Sequence, residues 1–244
     1  MYQFIKKRFL VFLPNKLLKQ LEPFLRSILY LFYKGNNFNC NLCNAQLRTF
    51  ITHKEELLCP KCGSLGRTRR LWQIVESTYL IPTIFILDFS PSRSLYRKFK
   101  SINNIHYFST DLSTDFISDY QYDITAIKSK EKSFDLILCY HILEHIENDS
   151  KAISELYRVL KSKGTCIIQT PFKEGETYEN PSITSEAERI IHFGQNDHVR
   201  IYSALNLKER LEKGGFKVEL KTYTSNSIES NGFKKEEIVL ICKK

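Results

Sequence analysis

Two kinds of hydrophobic pattern divide the chain. Between residues 16 and 33, apolar residues recur at steps of three and four, which predicts an amphipathic helix interrupted by Pro23. From Ile84 onward, short continuous apolar runs alternate with helical stretches. The runs predict strands at 84–87, 105–108, 134–139, 165–170, 216–223 and 237–242, and the stretches predict helices at 92–100, 150–160 and 205–213. Another helix is predicted ahead of the first run, at 67–78. This rhythm is typical of an α/β fold with a doubly wound, mostly parallel sheet, to which the terminal pair is expected to add an antiparallel strand.

The stretch from residue 36 to 66 is polar and contains four cysteines with metal-ligand spacing. Cys40 and Cys43 form one C-x2-C pair, and Cys59 and Cys62 form a second pair after 15 intervening residues. This spacing predicts a zinc ribbon, in which four thiolates close the tetrahedral shell and make the zinc structural. The sequence therefore predicts an arm at 1–35, a ribbon at 36–66 and a sheet domain at 67–244.

The charge of the chain is concentrated in the predicted arm. The formal net charge is +9, and residues 1–35 carry seven Lys or Arg residues against Glu22 alone. The helix in this arm either packs on the main domain or lies on an anionic membrane, with nucleic acid or a protein partner as a further reading. Seven cysteines without an export signal, and no long apolar stretch, favour a cytoplasmic protein, with peripheral contact at the inner membrane face as an extension of the lipid reading.

Polar residues follow the predicted strands where a parallel sheet opens toward its ligands. The first run ends in Asp88-Phe89-Ser90-Pro91, in which Ser90 and Pro91 suit the N-cap and first position of a helix. Asp111 ends the second run, at a spacing that suits a ribose hydroxyl. A third acid, Asp123, and the pair Tyr140-His141 follow further along the chain.

The segments 134–139, 141–146 and 155–161, with Gly164, closely resemble the class I S-adenosylmethionine-dependent methyltransferases, in particular the methyltransferase type 11-like group. The resemblance extends over roughly residues 84–243 and implies a Rossmann-like sheet. The chain also looks like a bacterial subgroup with an N-terminal four-cysteine ribbon and a segment similar to 192–202. The residues that the resemblance assigns to the cofactor are Asp88, Phe89, Ser90, Pro91, Asp111, Leu112, Asp123, Ile124, Tyr140 and His141. One departure is clear, because Phe89-Ser90-Pro91-Ser92 replaces the glycine-rich first turn of the family.

Reactive side chains are densest after the fifth strand. There we predict that His198 acts on the acceptor as a base and that Arg200 and Tyr202 help to orient it. His141-Ile142-Leu143-Glu144-His145 also satisfies H-x-x-E-H, the motif of inverted zinc peptidases, although the preceding strand argues against that class. Arg67, Arg69 and Arg70 are expected to form a solvated face or, as the alternative, to bind phosphate.

The leading hypothesis is transfer of a methyl group from S-adenosylmethionine to an oxygen or nitrogen of a small or carbohydrate-like acceptor. The first alternative is an RNA methyltransferase whose ribbon and basic arm bind RNA. The second is a non-catalytic binder that has the methyltransferase fold but has lost the cofactor through its altered turn.

Overall fold

The computed structural model describes residues 15–53, 56–225 and 230–244, with side chains from residue 21 onward. Lys6, Lys7 and Arg8 of the predicted arm lie outside the described residues. The described residues form two compact units. The N-terminal unit contains the chain up to Gln73 together with 230–234, and the sheet unit contains 74–225 together with 235–244. None of the described helices has the length and apolarity needed to cross a membrane.

The N-terminal unit consists of a helix followed by two small hairpins. Helix α1 spans Asn15–Leu31 with Pro23 inside it. Strand β1 (Lys34–Cys40) pairs antiparallel with β2 (Ala45–Leu47), and β3 (Ile51–His53) pairs antiparallel with β4 (Glu56–Leu58). Helix α2, Gly66–Thr78, follows, and its residues up to Gln73 belong to this unit. The described residues of the predicted arm and ribbon thus form one unit with the start of α2, although the sequence predicts the arm and the ribbon as separate parts.

Buried arginines hold the N-terminal unit together, and our expectation for them is wrong. Arg69 is fully buried and stacks on the ring of Phe50. Its guanidinium donates to four backbone carbonyls, those of Leu57, Ser64, Asn231 and Gly232. Arg70 is also buried and lies over the ring of Phe233. The guanidinium groups are bound by the protein's own backbone and aromatic rings, so Arg69 and Arg70 are neither a solvated face nor a phosphate site.

The sheet unit is built on six strands, as the apolar runs predict. In spatial order these are β12 (Lys217–Thr224), β13 (Glu236–Lys243), β8 (Leu160–Gln169), β7 (Phe134–Tyr140), β5 (Phe85–Phe89) and β6 (His106–Thr110). The last four are mutually parallel, whereas β13 pairs antiparallel with both β8 and β12. The expected antiparallel addition at the end of the chain is therefore confirmed.

The sheet unit includes the helices α3 (Arg93–Lys100), α4 (Asp149–Val159), α5 (Glu186–Phe193) and α6 (Ala204–Lys213). All of these but α5 lie where the sequence predicts a helix. Leu156 of α4 and Leu207 of α6 pack in one core with Leu87 and Ile137 from the sheet. The central strands are buried on both faces, which explains why they read as continuous apolar runs.

The connection between β8 and α6, which looks like a long loop in the sequence, contains structure of its own. It holds β9 (Phe172–Lys173), β10 (Tyr178–Glu179), α5 and β11 (Arg200–Ser203), and the three strands form a small sheet in the order β10-β11-β9. Helix α5 has a capping box between Ser185 and Glu188 and ends at Gly194, which has a φ of 81°. The box and the glycine are readable in the sequence, so the helix was detectable.

Candidate functional site

The four cysteines of the N-terminal unit meet around one point. The Sγ atoms of Cys40 and Cys62 lie 3.7 Å apart, and those of Cys43 and Cys59 lie 3.8 Å apart. All four lie within 4.8 Å of one another. A tetrahedral zinc with Zn–S bonds of about 2.3 Å requires sulfurs about 3.8 Å apart, so the donor set fits this ion.

Each cysteine pair lies on a turn of the same construction. The amide of Asn44 donates to the carbonyl of Cys40 (2.7 Å), and the amide of Gly63 donates to that of Cys59 (2.9 Å). Asn44 and Gly63 both adopt positive φ angles, 54° and 78°. Asparagine and glycine tolerate this left-handed conformation, which explains their place after each pair.

The turn after β5 has the backbone shape of a glycine turn without the glycine. Ser90 adopts a φ of 47°, a region that side chains normally avoid. Its amide donates to the carbonyl of Thr110 at 2.7 Å, which ties the ends of two parallel strands together. Ser92, whose hydroxyl accepts from the amide of Leu95, is the N-cap of α3, so our assignment of that cap to Ser90 is wrong.

Asp88 and Phe89 lie in the interior of the sheet unit instead of at its surface. Asp88 is 2% exposed, and one carboxylate oxygen accepts a 2.9 Å hydrogen bond from the hydroxyl of Tyr107. Burial raises the pKa of Asp88 to about 8, although the bond from Tyr107 opposes this shift. Burial therefore favours the neutral form of the Asp88 carboxyl, and Phe89 belongs to the hydrophobic core.

Asp111 lies beside the Ser90 turn, as the strand-end pattern predicts. Its Oδ1 accepts from the hydroxyl of Ser90 (2.7 Å), and its Oδ2 accepts from the hydroxyl of Ser113 (3.0 Å) and the amide of Phe116 (3.2 Å). The next residue, Leu112, is exposed, and Phe116 exposes part of its ring. The carboxylate is thus fixed by its own loop next to an exposed apolar surface.

The remaining strand-end residues take different positions. Asp123 caps its own turn by accepting from the amide and hydroxyl of Thr125, and Ile124 is in the core. Tyr140 is the last residue of β7, and His141 follows with a φ of 56°. The amide of His141 donates to the carbonyl of Gln169 at the end of β8.

Buried polar atoms without partners collect at this edge of the sheet. Among the residues that the structure describes, His141 Nε2, Gln169 Oε1 and Thr170 Oγ1 are buried and have no hydrogen-bond partner. They lie at or just beyond the carboxyl ends of β7 and β8. Unsatisfied polar atoms are costly, so their presence at one edge fits a site that completes its hydrogen bonds with a polar ligand.

His198 lies next to the segment after β7. The segment between His141 and Ile146 contains a 3-10 helix at Leu143–His145. The residue after His198, Val199, donates its amide to the carbonyl of Glu144 in this helix at 2.9 Å. His145 and His198 pack edge to face, with 4.7 Å between ring centroids. One ligand atom from each of Glu144, His145 and His198 lies within 4.8 Å of the other two.

Electrostatics differ among the members of this group. Burial favours the neutral acid at Glu144, but its hydrogen bond with His141 keeps the pKa of the carboxyl below the usual value. Burial, followed by the nearby His145, lowers the pKa of His198. The peptidase reading requires two histidines one turn apart on an α-helix, and the short 3-10 helix with a left-handed His141 does not provide that helix face.

Arg200 and Tyr202 are buried in an ionic network that supports the segment after β7. Arg200 donates to the carbonyls of Ile146 and Glu147 and to the carboxylate of Glu179. Tyr202 is fully buried, its hydroxyl donates to Asp149 at 2.7 Å, and burial raises its pKa. Arg210 donates to both Asp149 and Glu179. These contacts hold the loop in place, whereas the predicted role of Arg200 and Tyr202 in orienting an acceptor stays a prediction.

Several residues of this network cannot be recognised from the sequence. Asp149, Glu179 and Arg210 were not singled out, because they are far apart in the chain and meet only through the small sheet and α6. Glu144 and His145 stand in the sequence only within the peptidase motif and within a segment that resembles the methyltransferases, and neither pattern connects them with His198. No local spacing in the sequence links them to His198, which lies 53 positions after His145.

A family model described as a methyltransferase domain matches residues 77–221. The match covers more than half of the chain, so the chain belongs to this methyltransferase family. The family identified from the sequence motifs is confirmed.

Solved structures show the same fold at low sequence identity. A methyltransferase of Archaeoglobus fulgidus that depends on S-adenosylmethionine is 19% identical with a TM-score of 0.52, over 73% of this chain and 93% of that chain. A putative methyltransferase of Bacillus halodurans is 16% identical with a TM-score of 0.50, over 71% of this chain and 98% of that chain. The phosphoethanolamine N-methyltransferase 2 of Haemonchus contortus, solved with S-adenosylhomocysteine, is 19% identical with a TM-score of 0.50, over 65% and 40%.

One curated relative matches a shorter region. An uncharacterized protein of Methanocaldococcus jannaschii is 32% identical over 82 residues, which cover 31% of this chain and 35% of that protein. The chain therefore spans about a third of the length of this curated relative.

We predict that Asp88 makes the stability of the protein depend on pH. An aspartate in the unfolded chain has a pKa of about 3.9, so folding takes up a proton between about pH 4 and the folded pKa of about 8. The free energy of unfolding contributed by this group therefore falls as the pH rises through that window. Asp88→Asn keeps an acceptor for the Tyr107 hydroxyl but has no group that ionises. The free energy of unfolding of the variant minus that of the wild type, measured by urea titration, should therefore increase from pH 5 to pH 8.5.

Tyr107→Phe provides the opposite control. It removes the hydrogen bond that favours the ionised carboxylate, so stability should fall more steeply with pH than in the wild type. Parallel pH profiles for all three proteins would contradict the prediction.

Proposed function

We propose that this protein transfers a methyl group from S-adenosylmethionine to an oxygen or nitrogen of a small or carbohydrate-like acceptor. The observation that carries the proposal is the juxtaposition of the Ser90 turn, Asp111 and His141 at the carboxyl ends of three adjacent parallel strands. Ligands of doubly wound sheets bind at this edge. Membership of the methyltransferase family supports the reaction type.

The chain's own residues fit the polar parts of the cofactor. Oδ1 of Asp111 now accepts a 2.7 Å hydrogen bond from the hydroxyl of Ser90. With the cofactor bound, the Ser90 hydroxyl would turn away and Asp111 would accept hydrogen bonds from the ribose hydroxyls. The exposed Leu112 would cover an apolar face of the adenine, next to Asp123 and Ile124. The amino end of α3, capped by Ser92, would face the carboxylate of the methionine part. When bound, S-adenosylmethionine supplies an electrophilic methyl group on its sulfonium.

The acceptor would bind at the other side of His141, near His198. Gln195, Asn196 and Asp197 are exposed there and carry amide and carboxylate groups, which can hydrogen-bond to hydroxyls. The ring of Tyr178 lies tilted beside the exposed ring of His192, with 6.1 Å between their centroids. The hydroxyl of Tyr178 is hydrogen-bonded to Nδ1 of His192 at 2.7 Å. Arg200 and Tyr202 would act as positioning residues, because they hold the backbone that carries Glu144 and His145.

We predict that Asp111→Asn weakens S-adenosylmethionine binding by about 10-fold to 100-fold, because hydrogen bonds to a charged acceptor contribute about 1.5–3 kcal/mol. Asp135→Asn is the matched control. Asp135 accepts from Lys161 and from the amide of Phe85 at the opposite end of the sheet, so affinity should not change. Calorimetry with the purified variants measures both.

Equal losses in the two variants would show that the cofactor does not lie at this edge. If the wild type binds no S-adenosylmethionine, the protein is instead a non-catalytic binder with a methyltransferase fold. If it binds RNA with an affinity that falls steeply with salt, the acceptor is RNA and not a small molecule.

We also propose that the four cysteines hold one structural zinc. The support is the match between the sulfur distances and a tetrahedral thiolate shell. We predict about one zinc per chain in freshly purified, reduced protein, and its loss in Cys43→Ser, by elemental analysis. Cys166→Ala, which removes a buried thiol of the sheet unit, should keep the zinc. Wild-type protein that is folded, reduced and free of zinc would contradict the proposal.

A cytoplasmic location with peripheral attachment to an anionic membrane is our proposal for the arm. In helix α1, Glu22 and Arg26 are buried as an ion pair, whereas five large apolar side chains of the helix and that of the following residue, Phe32, are exposed. These are Leu21, Phe24, Leu25, Ile28, Leu31 and Phe32. The excess of Lys and Arg over residues 1–35 complements anionic lipid.

We predict that a Phe24→Ser, Ile28→Ser, Leu31→Ser triple variant loses binding to vesicles rich in anionic lipid. Each apolar side chain that leaves water contributes roughly 1–2 kcal/mol, so partitioning should fall at least about 100-fold in sedimentation assays. Ile191→Ser removes a side chain that is 79% exposed in the sheet unit and should bind like the wild type. Unchanged sedimentation of the triple variant would overturn the lipid reading.

A further inference from the structure

We propose that Glu144, His145 and His198 form a site for one divalent transition-metal ion, separate from the cysteine cluster. Their ligand atoms lie within 4.8 Å of one another, on two segments that are brought together by the bond between Val199 N and Glu144 O. Two imidazoles and one carboxylate are a donor set that binds first-row divalent metals and leaves coordination positions open.

The carboxylate of Glu144 supplies the first argument. Glu144 is 1% exposed, and its Oε1 bonds to Nδ1 of His141 at 3.2 Å. Its Oε2 is buried and has no hydrogen-bond partner among the described residues. A buried carboxylate oxygen without a partner is costly, and a cation would remove that cost.

The contacts of the ring nitrogens supply the second argument. Nδ1 of His198 hydrogen-bonds to the carbonyl of Phe193 at 3.2 Å, and Nδ1 of His145 lies 3.1 Å from a carboxylate oxygen of Asp197 as an ion-pair contact. Both partner groups are acceptors, so we assign the ring proton of each neutral histidine to Nδ1. In the neutral rings Nε2 therefore has a free lone pair, which is the form that binds metals.

These partners complete the arrangement that metal sites share. Each of the three ligands has an outer contact that fixes its orientation: His141 for Glu144, Asp197 for His145 and the Phe193 carbonyl for His198. Ligating histidines commonly donate their second ring nitrogen to a carboxylate or a backbone carbonyl in this way. The lone pair of His198 would then bind the metal and would not act as a proton acceptor.

The site has a consequence for the acceptor, and this step rests on the proposed methyl transfer. The cluster follows β7 directly and lies at the edge where the methyl donor would bind. An acceptor hydroxyl that occupies an open coordination position would have its pKa lowered by the cation, and it would lose its proton to water. Its oxygen would then form a bond to the methyl group as the bond from the methyl group to the sulfonium breaks, and S-adenosylhomocysteine would leave. This favours an oxygen acceptor over a nitrogen acceptor.

Cobalt(II) titration of the zinc-loaded protein tests the site without any methyl donor. We expect one Co²⁺ per chain, with weak visible bands of a nitrogen and oxygen site and no thiolate charge-transfer band, which shows that the cysteines kept their zinc. His145→Gln and Glu144→Gln should each weaken Co²⁺ binding by more than about 100-fold, and Asp197→Asn by about 10-fold to 100-fold. His192→Gln, which changes an exposed histidine outside the cluster, should bind Co²⁺ like the wild type.

Absence of Co²⁺ binding in the wild type would overturn the proposal. Binding of Co²⁺ by His145→Gln with the affinity of the wild type would overturn it as well. The side chain of His145 is partly exposed, so this variant is expected to fold. S-adenosylmethionine binding is measured separately by calorimetry. Metal binding without cofactor binding would refute the methyltransferase proposal and retain the metal site. Binding of S-adenosylmethionine without binding of Co²⁺ would refute the metal site and retain the methyltransferase proposal.

Discussion

The geometry of the candidate site depends on the hydrogen bonds that the guanidinium of Arg200 donates. This group donates to the carbonyls of Ile146 and Glu147, and so fastens β11 to the segment that leaves β7. His198 precedes Arg200 by two residues, and Glu144 and His145 lie just before the carbonyls that Arg200 binds. A buried arginine is costly unless its donors are paired, and here carbonyls and Glu179 pair them. The same network that satisfies this charge therefore brings the histidine cluster together.

The parallel strands impose the second constraint. Their carboxyl ends lie along one edge, so residues that are 20 to 50 positions apart, such as Ser90, Asp111 and His141, become neighbours. The first turn lacks glycine, but Ser90 adopts the left-handed conformation that a glycine would favour. The shape of the turn is thus retained, and the added hydroxyl binds Asp111. The departure from the family pattern changes the chemistry of the turn more than its backbone.

The N-terminal unit is stabilised by other interactions than the sheet unit, because it is too small to have a large hydrophobic core. It contains a cluster of four cysteines, two of them buried, and the buried side chain of Arg69, which donates hydrogen bonds to carbonyls of two separate chain segments. Polar groups of α1 face inward as the pair Glu22 and Arg26, and apolar side chains face outward. Helix α1 therefore exposes its apolar face, whereas a helix that packs on a hydrophobic core buries that face.

The sequence by itself determined the six main strands, the ribbon spacing, the methyltransferase family and the strand-end positions of Ser90, Asp111 and His141. These features depend on local periodicity and on the edge geometry that every parallel sheet shares. Only the tertiary structure decided that Asp88 is buried against Tyr107, that Arg69 is internal and that Tyr202 supports Asp149. It also decided that His198 meets Glu144 and His145. Burial and pairing between distant segments depend on how the elements pack, and no spacing along the chain encodes that packing.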